Sequence, residues 1–215
     1  MTASVTMDES AALKAKLLDA FLDLVPEKGW NQNTLTHAAQ HLELEEGLVW
    51  ALFPEGEKNA LTTWSRLLDQ QMEDKLSALD LASMKIRERI FWGVRTRLTL
   101  LTPRKQAASL AFRFLLDPRH TFMATPLIYD TVHVMWTLAG DTSTDYNFYT
   151  KRLLLSGVYI STFIYWLRDT SPEHHNTWKF LENRIDNVLS LHKIKSFAKE
   201  GLPFSKIVKS LWPFP

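Results

Sequence analysis

The chain has 215 residues, no cysteine and a formal net charge of +1. The missing thiols exclude disulfides, thiolate metal sites and thiol catalysis, and the near-zero charge excludes a general electrostatic pull toward nucleic acid. Eight tryptophans and twelve phenylalanines call for a large apolar core or for contacts with lipid, membrane or a partner.

The first ten residues, MTASVTMDES, have neither the basic start nor the apolar stretch of a secretory signal. Asp8 and Glu9, with no arginine near them, do not fit a transit peptide. The expected place is the cytoplasm, peripheral to the membrane, or the mitochondrial matrix side for a processed eukaryotic chain.

Helical periodicity then runs through nearly the whole chain, with no clear strand. Residues 10–27 put Leu13, Leu17, Phe21, Leu24 and Val25 on one stripe, and Gly29 ends the helix. Thr34 is placed to cap a short helix to His41, Leu42 to Leu44 form a tight turn, and a third short helix over 45–53 stops at Pro54. A long helix followed by two short ones is a helix-turn-helix pattern. The stretch LLDAFLDLVPEKGWNQNTLTHAAQHLELEEGLVWALFP resembles the N-terminal unit of TetR-type regulators through Gly29, Thr34, Ala38, Ala39, Gly47, Phe53 and Pro54. That resemblance implies an all-helical dimer with a ligand-binding C-terminal domain. The departure falls where DNA is read: Glu45 and Glu46 replace the usual Ser-Lys, and no lysine or arginine occurs between Gly29 and Glu57. Phosphate neutralisation dominates DNA affinity, so this face opposes a duplex.

Residues 57–84 continue as helix with the stripe Leu61, Trp64, Leu68, Met72 and Leu76. Residues 84–101 carry Lys85, Arg87, Arg89, Arg95 and Arg97 on one side and Ile90, Phe91, Val94, Leu98 and Leu101 on the other. Pro103 suits the first position of the next helix, Asp117-Pro118 ends it, and Pro126 predicts a kink or break in the helix over 119–138. Gly140 suits a left-handed helix end, with Ser143 or Thr144 capping the next helix. No charge falls between Arg152 and Arg168, and the stripes of Leu153 and Ile160, of Leu154 and Val158, and of Leu155, Tyr159 and Trp166 make this helix apolar all round. Such a helix is buried all round or spans a membrane; its apolar run is shorter than the roughly 20 residues of a span. Burial is the reading, part of it against a second subunit or a ligand. Ser171-Pro172-Glu173 signals a helix start. Trp178, Leu181, Ile185 and Val188 then face the central helix, while Lys179, Glu182, Asn183 and Asp186 face away.

Two segments, MWTLAGDTSTDYNFYTKR (135–152) and DTSPEHHNTWKFLENRIDNVL (169–189), resemble the lipid-binding accessory proteins of ubiquinone biosynthesis, the ninth Coq family, and the likeness runs over residues 13–197. It implies a non-catalytic, homodimeric protein that binds isoprenoid lipid or ubiquinone intermediates and presents them to a membrane-associated demethoxyubiquinone hydroxylase. It also implies a docking patch of Met135, Trp136, Gly140, Asp141, Asp145, Phe148, Tyr149 and Arg152. Where animal relatives have tryptophan this chain has Phe148, which keeps a ring and loses the indole donor. A bland alternative is that Trp136 and Tyr149 only pack the helix junction.

For the lipid, an apolar interior is expected around Leu98, Leu101, Phe112, Leu115, Ile160, Phe163 and Ile164; the alternative is a dry, closed core. The TetR-like resemblance implies pairing through the last two long helices, here those over 144–168 and 172–197. In the tail, Phe204, Ile207, Val208, Leu211 and Trp212 oppose Lys206 and Lys209, an amphipathic pattern for the membrane interface. A lid over the lipid pocket would bury the same rings.

His37 and His41 are spaced for a metal but lack a third ligand, and Asp141 with Asp145 could form an acid/base pair beside Lys151 and Arg152. No cofactor is expected beyond a bound lipid. The competing functions are a TetR-type ligand-responsive transcription regulator and an unidentified helical enzyme. The expected fold is all-α and TetR-like: a helix-turn-helix-like unit over 1–55, a helical lipid-binding and dimerisation domain over 56–200, and an amphipathic membrane-binding tail over 201–215.

Overall fold

The computed structural model describes residues 7–142, 144 and 146–193, and every regular element among them is helical. In chain order these are α1 (Met7–Lys28), α2 (Gln32–His41), α3 (Glu46–Leu52), α4 (Glu57–Ser77), α5 (Ile86–Leu101), α6 (Lys105–Leu116), α7 (Ala124–Leu138), α8 (Tyr146–Arg168) and α9 (His175–Lys193). The all-α expectation holds, and the apolar stripe of the first helix is core, with Leu17, Phe21 and Val25 buried.

Local chemistry moves several boundaries. Gly29 ends α1 as expected, in the left-handed region at φ 82°. The cap of α2, however, is Asn31, whose Oδ1 accepts the Thr34 N–H at 3.0 Å. Thr34 instead donates its hydroxyl to the Gly29 carbonyl at 2.8 Å, tying α2 back to the turn. The helix expected over 57–84 stops at Ser77, and Asp80 Oδ1 organises a single 3-10 turn over Leu81–Ser83. Pro103 lies in a 3-10 turn, Thr102–Arg104, ahead of α6. The helix expected over 119–138 begins only at Ala124, after a 3-10 turn over Thr121–Met123, so Pro126 falls in its first turn. It is the third residue of α7, where a missing N–H deprives no carbonyl of a partner.

The start of α9 is built by a residue the sequence did not single out. Asp169 is 7 % exposed. Its carboxylate accepts the Ser171 N–H at 2.8 Å, the Thr177 N–H at 2.8 Å and the Thr177 hydroxyl at 2.6 Å. Ser171 accepts from the Asn176 N–H at 3.1 Å. Burial alone would raise the Asp169 pKa, but the hydrogen bonds from Thr177 and Ser171 outweigh it and hold the carboxyl well below the usual carboxylate range. A depressed folded pKa gives stability that is complete above the unfolded value near ~3.9 and lost as pH falls below it. Asp169→Ala should therefore cost on the order of 2 kcal/mol at pH 7, with the gap to wild type narrowing in thermal unfolding at pH 3. An equal gap at both pH values would contradict the assignment.

The chain forms two compact units, each discontinuous in sequence. In the first, residues 7–72 and 99–131, α1 packs on α2 and α6. In the second, residues 73–98 and 132–193, α8 packs on α9. Leu181 and Ile185 are buried as expected, and Tyr165 of α8 stacks on Phe180 of α9 at 4.5 Å. The expectation that α8 is buried all round does not hold within one chain. Leu155, Val158, Thr162 and Trp166 are buried, but Leu153 is 59 % exposed and Gly157 one turn on is exposed. The second unit supplies too few elements to cover every apolar face of a 23-residue helix.

Candidate partner surface and lipid groove

The junction between α7 and α8 is held by a local helix end and a buried charge cluster. Gly140, at φ 83°, occupies the left-handed position after α7. Its N–H donates to the Thr137 carbonyl and that of Asp141 to the Trp136 carbonyl, both at 3.0 Å, the two bonds of a Schellman end. Arg89 of α5 closes the same end by donating Nη1 to the Ala139 carbonyl at 2.9 Å. A Cβ on Gly140 would meet only the movable end of that guanidinium, at 3.0 Å, so the left-handed φ is what disfavours other residues at position 140.

Asp141 then turns its carboxylate inward. It accepts Lys151 Nζ at 2.7 Å and Arg152 Nη1 at 3.2 Å. Arg152 also donates to His133 Nδ1 at 3.1 Å and to the Phe148 carbonyl at 3.0 Å, with its guanidinium stacked on the Phe148 ring. Trp136 donates its indole N–H to the Lys151 carbonyl at 3.0 Å, and the Lys151 ammonium lies over the Trp136 ring. Met135 is buried against Gly93 of α5, where any added Cβ would press on its Cγ at 3.2 Å.

The structure thus brings the expected patch together but divides it. Met135, Asp141 and Arg152 are interior parts that fix the junction. Trp136 and Phe148 are half-buried and Gly140 is exposed. Tyr149, 68 % exposed, presents the largest free apolar area. Asp145 lies outside the described residues, as does Ser143, a candidate cap of α8. Asp141 is engaged by two cations, which favours a positioning role over acid/base work.

In the same unit an apolar groove of about 260 Å³ opens among α5, α8 and α9. Ile86 and Ile90 of α5, Leu154 and Val158 of α8, and Val188 of α9 line it, with Trp136 and Lys151 of the junction at its side. None of the seven residues expected to hold lipid lines this groove. Leu98 is fully buried core, Leu101 is buried, and Phe112, Leu115, Ile160, Phe163 and Ile164 are half-buried. Leu101, Phe112 and Leu115 belong to the first unit, and Leu98, Ile160, Phe163 and Ile164 to the second. The groove residues carried a recognisable signal, apolar positions at helical spacing, but that signal is shared by every core helix.

Elsewhere, α3 exposes Glu46 and Trp50, whose indole donates to the Glu46 carboxylate at 3.3 Å, and Glu45 just before it is exposed too. His37 pairs with Gln40 at 3.3 Å, and among the described residues no three His, Asp or Glu side chains gather as a metal-ligand set. Among those residues no helix is long and apolar enough to cross a membrane. The expected membrane-binding side chains, from Phe204 to Trp212, lie outside the described residues.

The helices of the described residues make a TetR-like all-α fold. A TetR transcriptional regulator from Nitrosomonas europaea ATCC 19718 has the same fold, with a TM-score of 0.70 at 18 % identity over 83 % of this chain and 98 % of that one. The COQ9 family model matches residues 122–192, from the 3-10 turn before α7 almost to the end of α9. Ubiquinone biosynthesis protein COQ9, mitochondrial, of Bos taurus is 33 % identical over 196 residues, covering 88 % of this chain and 61 % of that protein. COQ9-B of Xenopus laevis is 31 % identical over 197 residues, covering 88 % and 67 %. The chain belongs to the COQ9 family, and it spans about three-fifths of the Bos taurus relative's length.

Proposed function

We propose that this chain serves ubiquinone biosynthesis as a non-catalytic carrier that binds isoprenoid intermediates and presents them to a membrane-associated demethoxyubiquinone hydroxylase. The observation that carries the reading is the groove among α5, α8 and α9, almost wholly apolar and open to solvent. Burying an apolar tail there removes hydrocarbon from water at about 25 cal/mol per Å². The role that names the relatives, ubiquinone biosynthesis, supports a lipid of that pathway. The groove adjoins the α7–α8 junction through Trp136 and Lys151, so a bound tail and a partner docked on Tyr149 would lie on neighbouring surfaces of one unit. The exposed Leu153 and Gly157 support pairing of two copies along α8, which light scattering measures.

Native mass spectrometry and organic extraction of the purified chain test the carrier reading. The wild type should retain isoprenoid lipid. Leu154→Trp, which fills the groove from a half-buried position, should reduce it roughly tenfold with helical content unchanged, as loss of about 1.4 kcal/mol of affinity requires. Equal lipid in both proteins would remove the groove from the proposal, and no lipid in either would remove the carrier function.

A further inference from the structure

We propose that a tail in the groove orders the surface around Tyr149, so that a loaded chain and an unloaded one present different faces to a partner. This inference rests on the carrier reading above and adds how loading is signalled. The groove and the proposed docking surface share residues. The Lys151 stem and the Trp136 ring line the groove. The Lys151 ammonium is bound by Asp141 at 2.7 Å and lies 5.6 Å from the centre of the Trp136 ring. The Trp136 indole donates back to the Lys151 carbonyl at 3.0 Å, closing the link between α7 and the first turns of α8. Lys151 is also the charged member of the junction that keeps water. Its side chain is 28 % exposed, against 2 % for Asp141 and 4 % for Arg152.

A hydrocarbon tail laid along the Lys151 stem displaces the water beside it. The ion pair to Asp141 then sits in a lower dielectric, where opposite charges attract more strongly, and a long side chain is held in one rotamer. The turn of α8 that carries Lys151 also carries Phe148 and Tyr149, whose rings meet edge to face at 5.1 Å. The tail therefore meets the ordering entropy of this turn, and a partner docking on Tyr149 finds a surface already fixed. Such coupling needs no change of fold. A second link runs through α5. Ile86 and Ile90 line the groove, and Arg89 between them donates to three carbonyls: Nε to Met84 at 3.0 Å, Nη2 to Ala82 at 3.1 Å and Nη1 to Ala139 at 2.9 Å. The α5 wall cannot shift against a tail without pulling on the Gly140 turn that leads into α8.

Calorimetry and amide hydrogen exchange on the full chain test this, with geraniol as the probe tail. Exchange is read at residues 150–153, whose N–H groups close the first hydrogen-bonded turn of α8. Geraniol should slow exchange there about tenfold in the wild type, an ordinary size for coupling between two sites. Lys151→Met keeps an apolar stem on the groove and leaves Asp141 paired with Arg152 at 3.2 Å. It should fold and bind geraniol, which circular dichroism and calorimetry verify, while the slowing falls below about twofold. Lys151→Arg returns a cation to Asp141 and should recover the effect. A merely structural lysine would change exchange by the same factor with and without geraniol. The tenfold difference would then survive in Lys151→Met, and that result overturns the proposal. Geraniol binding with no change at residues 150–153 of the wild type also overturns it, whether or not the variant folds, and the carrier reading then stands. Failure of the wild type to bind geraniol overturns both.

Discussion

Replacing Asp141 by alanine is expected to destabilise the chain by about 3–5 kcal/mol, the usual cost of breaking a buried ion pair from one side. The Asp141 side chain is 2 % exposed and that of Arg152 is 4 % exposed. Lys151, the other cation on the carboxylate, keeps 28 % exposure and can turn to water. Arg152 cannot, so the cost falls on a guanidinium left without its counter-charge, although His133 and the Phe148 carbonyl still accept from it. The sign of that argument gives a second expectation. Arg152→Met in the Asp141→Ala background removes the stranded charge and should recover most of the loss, because replacing a whole buried pair with apolar groups is often close to neutral. Urea midpoints of the two single variants and the double variant measure this. Additive losses would show that the pair is not coupled as described. There is a functional corollary: substitutions at Asp141 or Arg152 would disturb the proposed docking surface through the fold. Tyr149→Ala, at an exposed position, probes partner contact without that confusion.

The chemistry legible in the sequence was the chemistry that acts within a few residues. Gly140 was legible because a left-handed helix end needs only its own neighbours, and so were the buried faces of α1 and α9, which come from spacing. Caps were less legible. Asn31 and Thr34 both carry oxygen acceptors near the start of α2, and only the backbone path selects Asn31. Asp169 acts across eight residues on Thr177, beyond any local cap pattern. The basic side expected over 84–101 was misleading for a further reason. At about 100° per residue Arg87 and Arg89 lie on nearly opposite sides of α5, and with Arg95 they are engaged with Asp186, with the Ala139 carbonyl and with the rings of Trp92 and Trp178. Apart from Trp92, those partners lie far along the chain, and charge pattern carries no information about them. The seven residues expected to hold lipid do not line the groove for a similar reason: Ile160 and Val158 look alike in the sequence, and only the packing of α5 and α9 decides which one meets the groove.

Trp30→Ala is expected to cost about 3–5 kcal/mol, within a unit whose outward helix tolerates change. Trp30 is 7 % exposed and comes directly after the Gly29 turn. Its ring meets the Phe21 ring of α1 edge to face at 4.9 Å and stacks on Trp64 of α4 at 5.7 Å, with Phe114 of α6 at 6.5 Å. Its indole N–H donates to the Glu57 carbonyl at 3.1 Å, at the first turn of α4. One side chain therefore joins three helices, and the cavity left by alanine cannot close without moving all of them. Trp30→Phe keeps most of the ring contact and gives up the hydrogen bond, worth about 1 kcal/mol, so it should fall well short of the alanine loss. Glu46→Ala on the exposed face of α3 should stay within about 0.5 kcal/mol. Denaturant midpoints at constant slope compare the three. An alanine loss under about 1 kcal/mol, or equal losses for Ala and Phe, would sink the assignment. The expected order would mean that this helix-turn-helix unit contributes chiefly its core, since the helix that reads bases in a regulator here exposes Glu46 and Trp50, groups that repel phosphate or offer it no charge.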